Sequence, residues 1–92
     1  MTVQWNRQAA LDLVALVRYL KRHASPAIAR RIAKDVRARA AALRDFPRKG
    51  RVVPELERIG MTQWREIIFP PYRLIYTIED DRVEVDAIID AR

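Results

Sequence analysis

Arginine dominates the side chains here that could do chemistry. In "REIIFPPYRLIY", Arg65 to Tyr76, two apolar segments meet at a Pro-Pro pair and an arginine sits beside each. A guanidinium in such a place suits three tasks. It can stabilise the charged phosphorane of metal-free RNA cleavage while a tyrosine or lysine moves the proton. It can anchor a phosphate, or it can pair with an acidic peptide. Other chemistries lack their parts. His23 is the only histidine, which removes paired-His acid/base catalysis and a His-based metal site, and its place near the end of a helix suits an imidazolium offsetting the dipole. Ser25, the sole serine, reads as a helix cap rather than a triad nucleophile. Cysteine is absent, so disulfides, thiolate nucleophiles and zinc knuckles are excluded, and no Gly-rich phosphate loop occurs. Glu79, Asp80, Asp81, Glu84, Asp86 and Asp90 gather near the end of the chain. Glu84 and Asp86 share a face at period two, which fits either a hard cation or the solvated, charge-protected side of an edge strand. No cofactor and no metal are expected.

Charge is unevenly spread. From Arg18 to Arg51 there are twelve Lys or Arg against Asp35 and Asp45, whereas residues 52–92 carry five arginines against nine acids. Such a gradient within one small domain sets up a directed field that attracts a polyanion or an acidic protein segment to the basic side. The alternative is a solvated helix face. The N-terminal residues lack the pattern of a signal peptide, and no apolar run approaches membrane-spanning length, so a cytoplasmic protein with no membrane partner is expected.

The 92 residues, half of them hydrophobic, suit a single domain over 1–92. "TVQW" is short and β-prone, and Asn6 follows as a helix cap. Leu13, Leu16, Val17 and Leu20 recur at helical spacing. Ser25-Pro26 opens a second helix, whose apolar face runs through Ile28, Ile32, Val36, Ala40 and Leu43 until "DFP" stops it. Arg30, Lys34 and Arg37 lie on another face. "FPRKGRVVPELERIG" shows no sustained period and reads as a long structured loop with one helical turn at "PELE". Strands follow at Trp64–Phe69, Tyr72–Ile78 and Val83–Ile89, joined by turns short enough for hairpins. The expected fold is α+β: an N-terminal strand, an antiparallel two-helix hairpin, and a C-terminal three-stranded antiparallel meander whose apolar face the helices cover. Alternation places Tyr72, Leu74, Tyr76 and Ile78 on one face and Arg73, Ile75 and Thr77 on the other.

Taken together, "LRDFPRKGR", "GRVVPEL" and "WREIIFPPYRLIYTIEDDRVEVDAIIDAR" resemble the ParE/RelE superfamily of toxins from bacterial type II toxin–antitoxin modules. That family is similar in its Gly-Arg loop, its Arg-Glu-hydrophobic strand, its Tyr-Arg-aliphatic-aliphatic-Tyr strand, and a last strand ending near an arginine. The resemblance spans nearly the whole chain and favours the ParE branch. The RelE form places a catalytic arginine closer to the Tyr-Arg pair, where this chain has Ile68, and RelE-like nucleases carry an aromatic residue beyond the last strand. Asp90 stands where most ParE-like members have histidine.

The resemblance implies a growth-inhibiting toxin that poisons DNA gyrase and is neutralised, in a hetero-oligomer, by a cognate antitoxin with an acidic, amphipathic C-terminal segment. Contact with target or antitoxin is then expected at Arg65, Arg73, Arg92, Arg30, Lys34 and Arg37. The rival is a RelE-like, ribosome-dependent endoribonuclease acting on messenger RNA through Arg65, Arg73, Arg92 and Lys49 with a tyrosine. A non-toxic nucleic-acid-binding module is a third reading. For Arg65 and Arg73 a structural alternative stays open, namely cross-strand pairing with Glu66, Glu84 or Asp86.

Overall fold

The computed structural model describes residues 1–90. The order of elements is β1 (Thr2–Trp5), α1 (Arg7–His23), α2 (Pro26–Ala42), β2 (Arg51–Val52), α3 (Pro54–Glu57), β3 (Trp64–Phe69), β4 (Tyr72–Glu79) and β5 (Arg82–Asp90). Both long helices start where the caps lie. The Asn6 side chain accepts from Ala9 N at 2.8 Å, and the Ser25 hydroxyl accepts from Ile28 N at 3.1 Å with Pro26 in the first turn. The first helix ends on Lys21 and Arg22, cations that offset its C-terminal dipole, followed by His23. His23 also lies against the Tyr19 ring, 4.5 Å between centroids. Neither helix, nor any other among the described residues, is long and apolar enough to cross a membrane.

The meander of β3, β4 and β5 forms as the alternation predicts, but it is the middle of a larger object. The sheet has five strands in the order β1-β5-β4-β3-β2. β1 lies parallel to β5, with Val3 opposite Val83 and Trp5 opposite Val85. β2 lies antiparallel to β3, with Arg51 opposite Glu66. The expectation that Glu84 and Asp86 line an edge strand is therefore corrected: β5 is paired on both sides. A parallel partner from the other end of the chain leaves no local signal in either strand, so periodicity alone does not reveal it. A second correction falls on the long loop, whose Arg51–Val52 become a strand while "PELE" forms the expected turn of helix.

Leu13, Val36, Ala40, Leu43, Ile67, Phe69, Tyr72, Leu74, Tyr76, Val83 and Val85 pack between the helix pair and one face of the sheet. Ala29, Ala33 and Ala40 on α2 are buried, whereas Ala38, Ala41 and Ala42 are exposed. Close packing thus uses half of that alanine set. Ile28 is exposed as well, so the apolar face of α2 begins effectively at Ile32. The second face of the sheet carries Glu66, Ile68, Arg73, Ile75 and Thr77, and α3 reaches over its β2 end through Glu55.

Candidate functional site

Three groups of side chains emerge from this framework. The first lies where the loop after α2 returns to the sheet. Tyr76 is wholly buried on β4, yet its hydroxyl accepts the Gly50 N–H at 2.9 Å and donates to the Pro47 carbonyl at 2.7 Å. Arg65, opposite Tyr76 on β3, donates to the Gly50 carbonyl at 2.7 Å. A Cβ on Gly50 would sit 2.6 Å from both the Glu66 carbonyl oxygen and the Tyr76 hydroxyl, so the close approach demands glycine. Burial pushes the Tyr76 hydroxyl above the usual phenol range. The loop pinned in this way exposes Phe46, Arg48 and Lys49 to solvent.

The second group is an ion network on the opposite face of the sheet. Glu66 is only 2% exposed. Its carboxylate accepts from Arg51 Nε at 2.6 Å and from Arg73 Nε at 2.7 Å. Arg73 turns its remaining edge outward as a fork, donating through Nη1 to Glu55 Oε2 at 3.0 Å and through Nη2 to Glu55 Oε1 at 2.8 Å. Those bonds hold the Glu55 carboxyl down to about 2, and with Glu66 they raise the Arg73 guanidinium above its ordinary value. A carboxylate this deep is tolerated because two guanidiniums satisfy it.

The third group is a groove of about 540 Å³ along α1. Trp5, Leu13, Val14 and Val17 form its apolar wall, and Arg18, Lys21 and Arg37 stand around it. The first helix carries more apolar residues than the core accepts, which leaves Leu11 and Val14 exposed.

The predicted site residues do not converge. Arg65 braces the loop, Arg73 belongs to the Glu66 network, and Arg37 joins the groove; Arg30 and Lys34 are exposed on α2 without an ion pair among the described residues. Lys49 lies on the pinned loop, and Arg92 lies outside the described residues. The cross-strand alternative holds for Arg73 with Glu66. Sequence reading named Glu66 as a pairing partner but passed over Arg51, Glu55 and the close approach at Gly50. One signal was present: an acid between Trp64 and Ile68 on a strand face otherwise apolar needs partners, and arginine stands in both neighbouring strands.

Asp86 sits at an irregularity of the β4–β5 register, beyond Tyr76 opposite Val85. Asn6 donates to its Oδ1 at 3.3 Å, and its Oδ2 is buried without a hydrogen-bond partner. Burial first, then the nearby Glu84, pushes its carboxyl up to about 7. Glu84 and Asp86 gather no third His, Cys, Asp or Glu into a metal site among the described residues.

Comparison with known proteins accords with this architecture. A solved structure from the chromosomal ParDE toxin–antitoxin system of P. aeruginosa superposes with a TM-score of 0.83, covering 100% of this chain and 97% of the other. At 18% identity that likeness speaks for the fold. Comparison with curated proteins finds no match. The family described as the ParE toxin of the type II toxin–antitoxin system, parDE, matches residues 3–92. With the match running from β1 to the end of the chain, the protein belongs to the ParE toxin family of type II toxin–antitoxin systems.

Proposed function

We propose that the protein arrests growth by poisoning DNA gyrase and that a cognate antitoxin neutralises it by docking an acidic, amphipathic segment in the groove along α1. The groove carries the second half of this reading. Its apolar wall of Trp5, Leu13, Val14 and Val17 suits the apolar face of a helix or strand, and Arg18, Lys21 and Arg37 suit the acids at that segment's edges. Apolar anchors would supply most of the affinity, while the cations speed encounter and fix orientation. Arg30 and Lys34 extend the basic side along α2.

For the target, membership of the ParE branch supports gyrase over the ribosome. The commitments of the side chains point the same way. RNA cleavage needs an arginine free to meet a phosphorane and a group poised to move a proton. Arg65 is bound to a carbonyl and the Tyr76 hydroxyl is buried between Gly50 and Pro47, so neither is poised to act at a phosphodiester. Expression with and without the neighbouring antitoxin gene, scoring growth, DNA-damage response and transcript integrity together, tests the reading. Growth arrest with induced damage and intact transcripts is expected. Site-specific transcript cleavage that vanishes in Arg65→Ala or Arg73→Ala would replace it with the nuclease.

A further inference from the structure

The face of the sheet away from the helix pair holds a shallow pocket of about 360 Å³, lined by Arg51, Pro54, Glu55, Arg58, Ile68 and Arg73. Three guanidiniums meet there with very different commitments. Arg73 is aligned from behind by the buried Glu66 and presents a fork that one surface carboxylate, Glu55, fills with both oxygens. Arg51 gives Glu66 only its Nε, so its two outer nitrogens bond nothing among the described residues. Arg58 is exposed, and its side chain makes no hydrogen bond or ion pair among them. Hence one fork is occupied by an internal anion, while beside it Arg51 keeps its two outer nitrogens unbonded and the Arg58 side chain lacks a partner among the described residues.

We infer that this pocket is a phosphate-binding site, built from Arg51, Arg58 and Arg73, with Glu55 as an internal occupant that the phosphate displaces. The chemistry of the anion decides its class. A carboxylate spends both oxygens on a single fork, as Glu55 does, whereas a tetrahedral phosphate has oxygens to serve several forks at once and more negative charge to reward them. The element that carries the occupant is lightly anchored. Glu55 belongs to α3, a single turn with no buried residue and no side-chain cap, so moving it aside disturbs no core packing. The fork itself stays in place, because the buried carboxylate of Glu66 fixes Arg73 whether or not Glu55 is there. The inference is independent of the choice between gyrase and ribosome, since it concerns binding by the purified toxin alone.

Titration of the purified protein with inorganic phosphate, followed through the arginine side-chain NMR signals against sodium chloride at matched ionic strength, tests it. Glu55→Gln removes the competing charge and should tighten phosphate binding by about tenfold, whereas Arg58→Ala, which breaks no side-chain hydrogen bond or ion pair among the described residues, should weaken it by about tenfold. Circular dichroism of both variants confirms that the fold is retained. A short single-stranded oligonucleotide forms the second arm. Competition with phosphate that is lost in Arg58→Ala assigns the site to a nucleic-acid phosphodiester, and phosphate binding without such competition assigns it to a phosphate monoester. Equal phosphate affinities in all three proteins, or the same signal shifts with chloride, would overturn the site.

Discussion

The buried Tyr76 hydroxyl accepts the Gly50 N–H at 2.9 Å, which ties the loop after α2 to the centre of the sheet. That bond connects positions 26 residues apart, and it requires both a hydroxyl on one side and a missing side chain on the other. Tyr76→Phe leaves the buried Gly50 N–H without a partner and should cost about 1 to 3 kcal/mol. Gly50→Ala places a methyl against the Glu66 backbone oxygen and the Tyr76 ring, an overpacking of about 1 to 3 kcal/mol. Urea unfolding of the two variants measures both costs. Unchanged midpoints would mean that the loop is not anchored there.

Arg73 is expected to matter for folding. Arg73→Ala leaves Glu66, fully enclosed, with Arg51 alone, so the loss should be about 2 to 4 kcal/mol, short of a complete unpairing because one guanidinium remains. Leu74→Ala, its neighbour on the opposite face, should cost about 2 to 5 kcal/mol as a plain core truncation. The two differ in a double-mutant cycle. Adding Glu66→Ala should recover part of the Arg73→Ala loss and none of the Leu74→Ala loss, as read by thermal or urea unfolding.

Two carboxyls give the stability a pH dependence of opposite sign. Asp86 holds its proton more tightly folded, at about 7, than at its ordinary value of 3.8, through burial and the nearby Glu84 and Glu79, partly opposed by Thr77. Between those values the folded state binds more protons, so stability falls as pH rises and stays lowered above about 7. Asp86→Asn should therefore gain on the parent protein progressively from pH 4 to pH 7 and then level off. Glu55 behaves in reverse. Its contribution is present above its ordinary value of 4.5 and is lost as pH falls toward about 2, so Glu55→Gln should trail the parent at pH 6 and match it near pH 2. Because Glu55 lies at the surface, added salt should shrink its difference. Unfolding curves across pH settle both signs, and a parallel course for Asp86→Asn and parent would refute the buried-carboxyl account.

The groove along α1 can be probed without touching the core. Val14 is exposed on its wall, so Val14→Asp should leave the melting temperature within a few degrees while weakening an acidic, amphipathic antitoxin segment by more than about tenfold. Arg18→Ala and Lys21→Ala should act differently, lowering the association rate and flattening its salt dependence. Surface plasmon resonance over a range of salt reads both. Binding by Val14→Asp at the parental affinity would move the antitoxin elsewhere.

By itself, the sequence determined the elements whose signals are local. Asn6 and Ser25-Pro26 mark the helix starts because a cap needs only the next turn of backbone, and alternation from Trp64 to Ile89 marks three strands because a half-buried strand repeats every two residues. The same patterns made the ParE-like organisation legible. Relations between distant residues were decided only in the tertiary structure. Parallel pairing of Val3 with Val83 has no sequence period, so the inner position of β5 and the half-buried Asp86 went unseen. Arg73 appeared as a surface cation because alternation tells which face a side chain takes, but not what stands upon that face. Glu66 and Glu55 stand there, brought together by a two-residue strand and a single helical turn too short to carry any period of their own. Whether a charge is free or spent is a property of neighbours in space, and for this protein the fold alone supplies them.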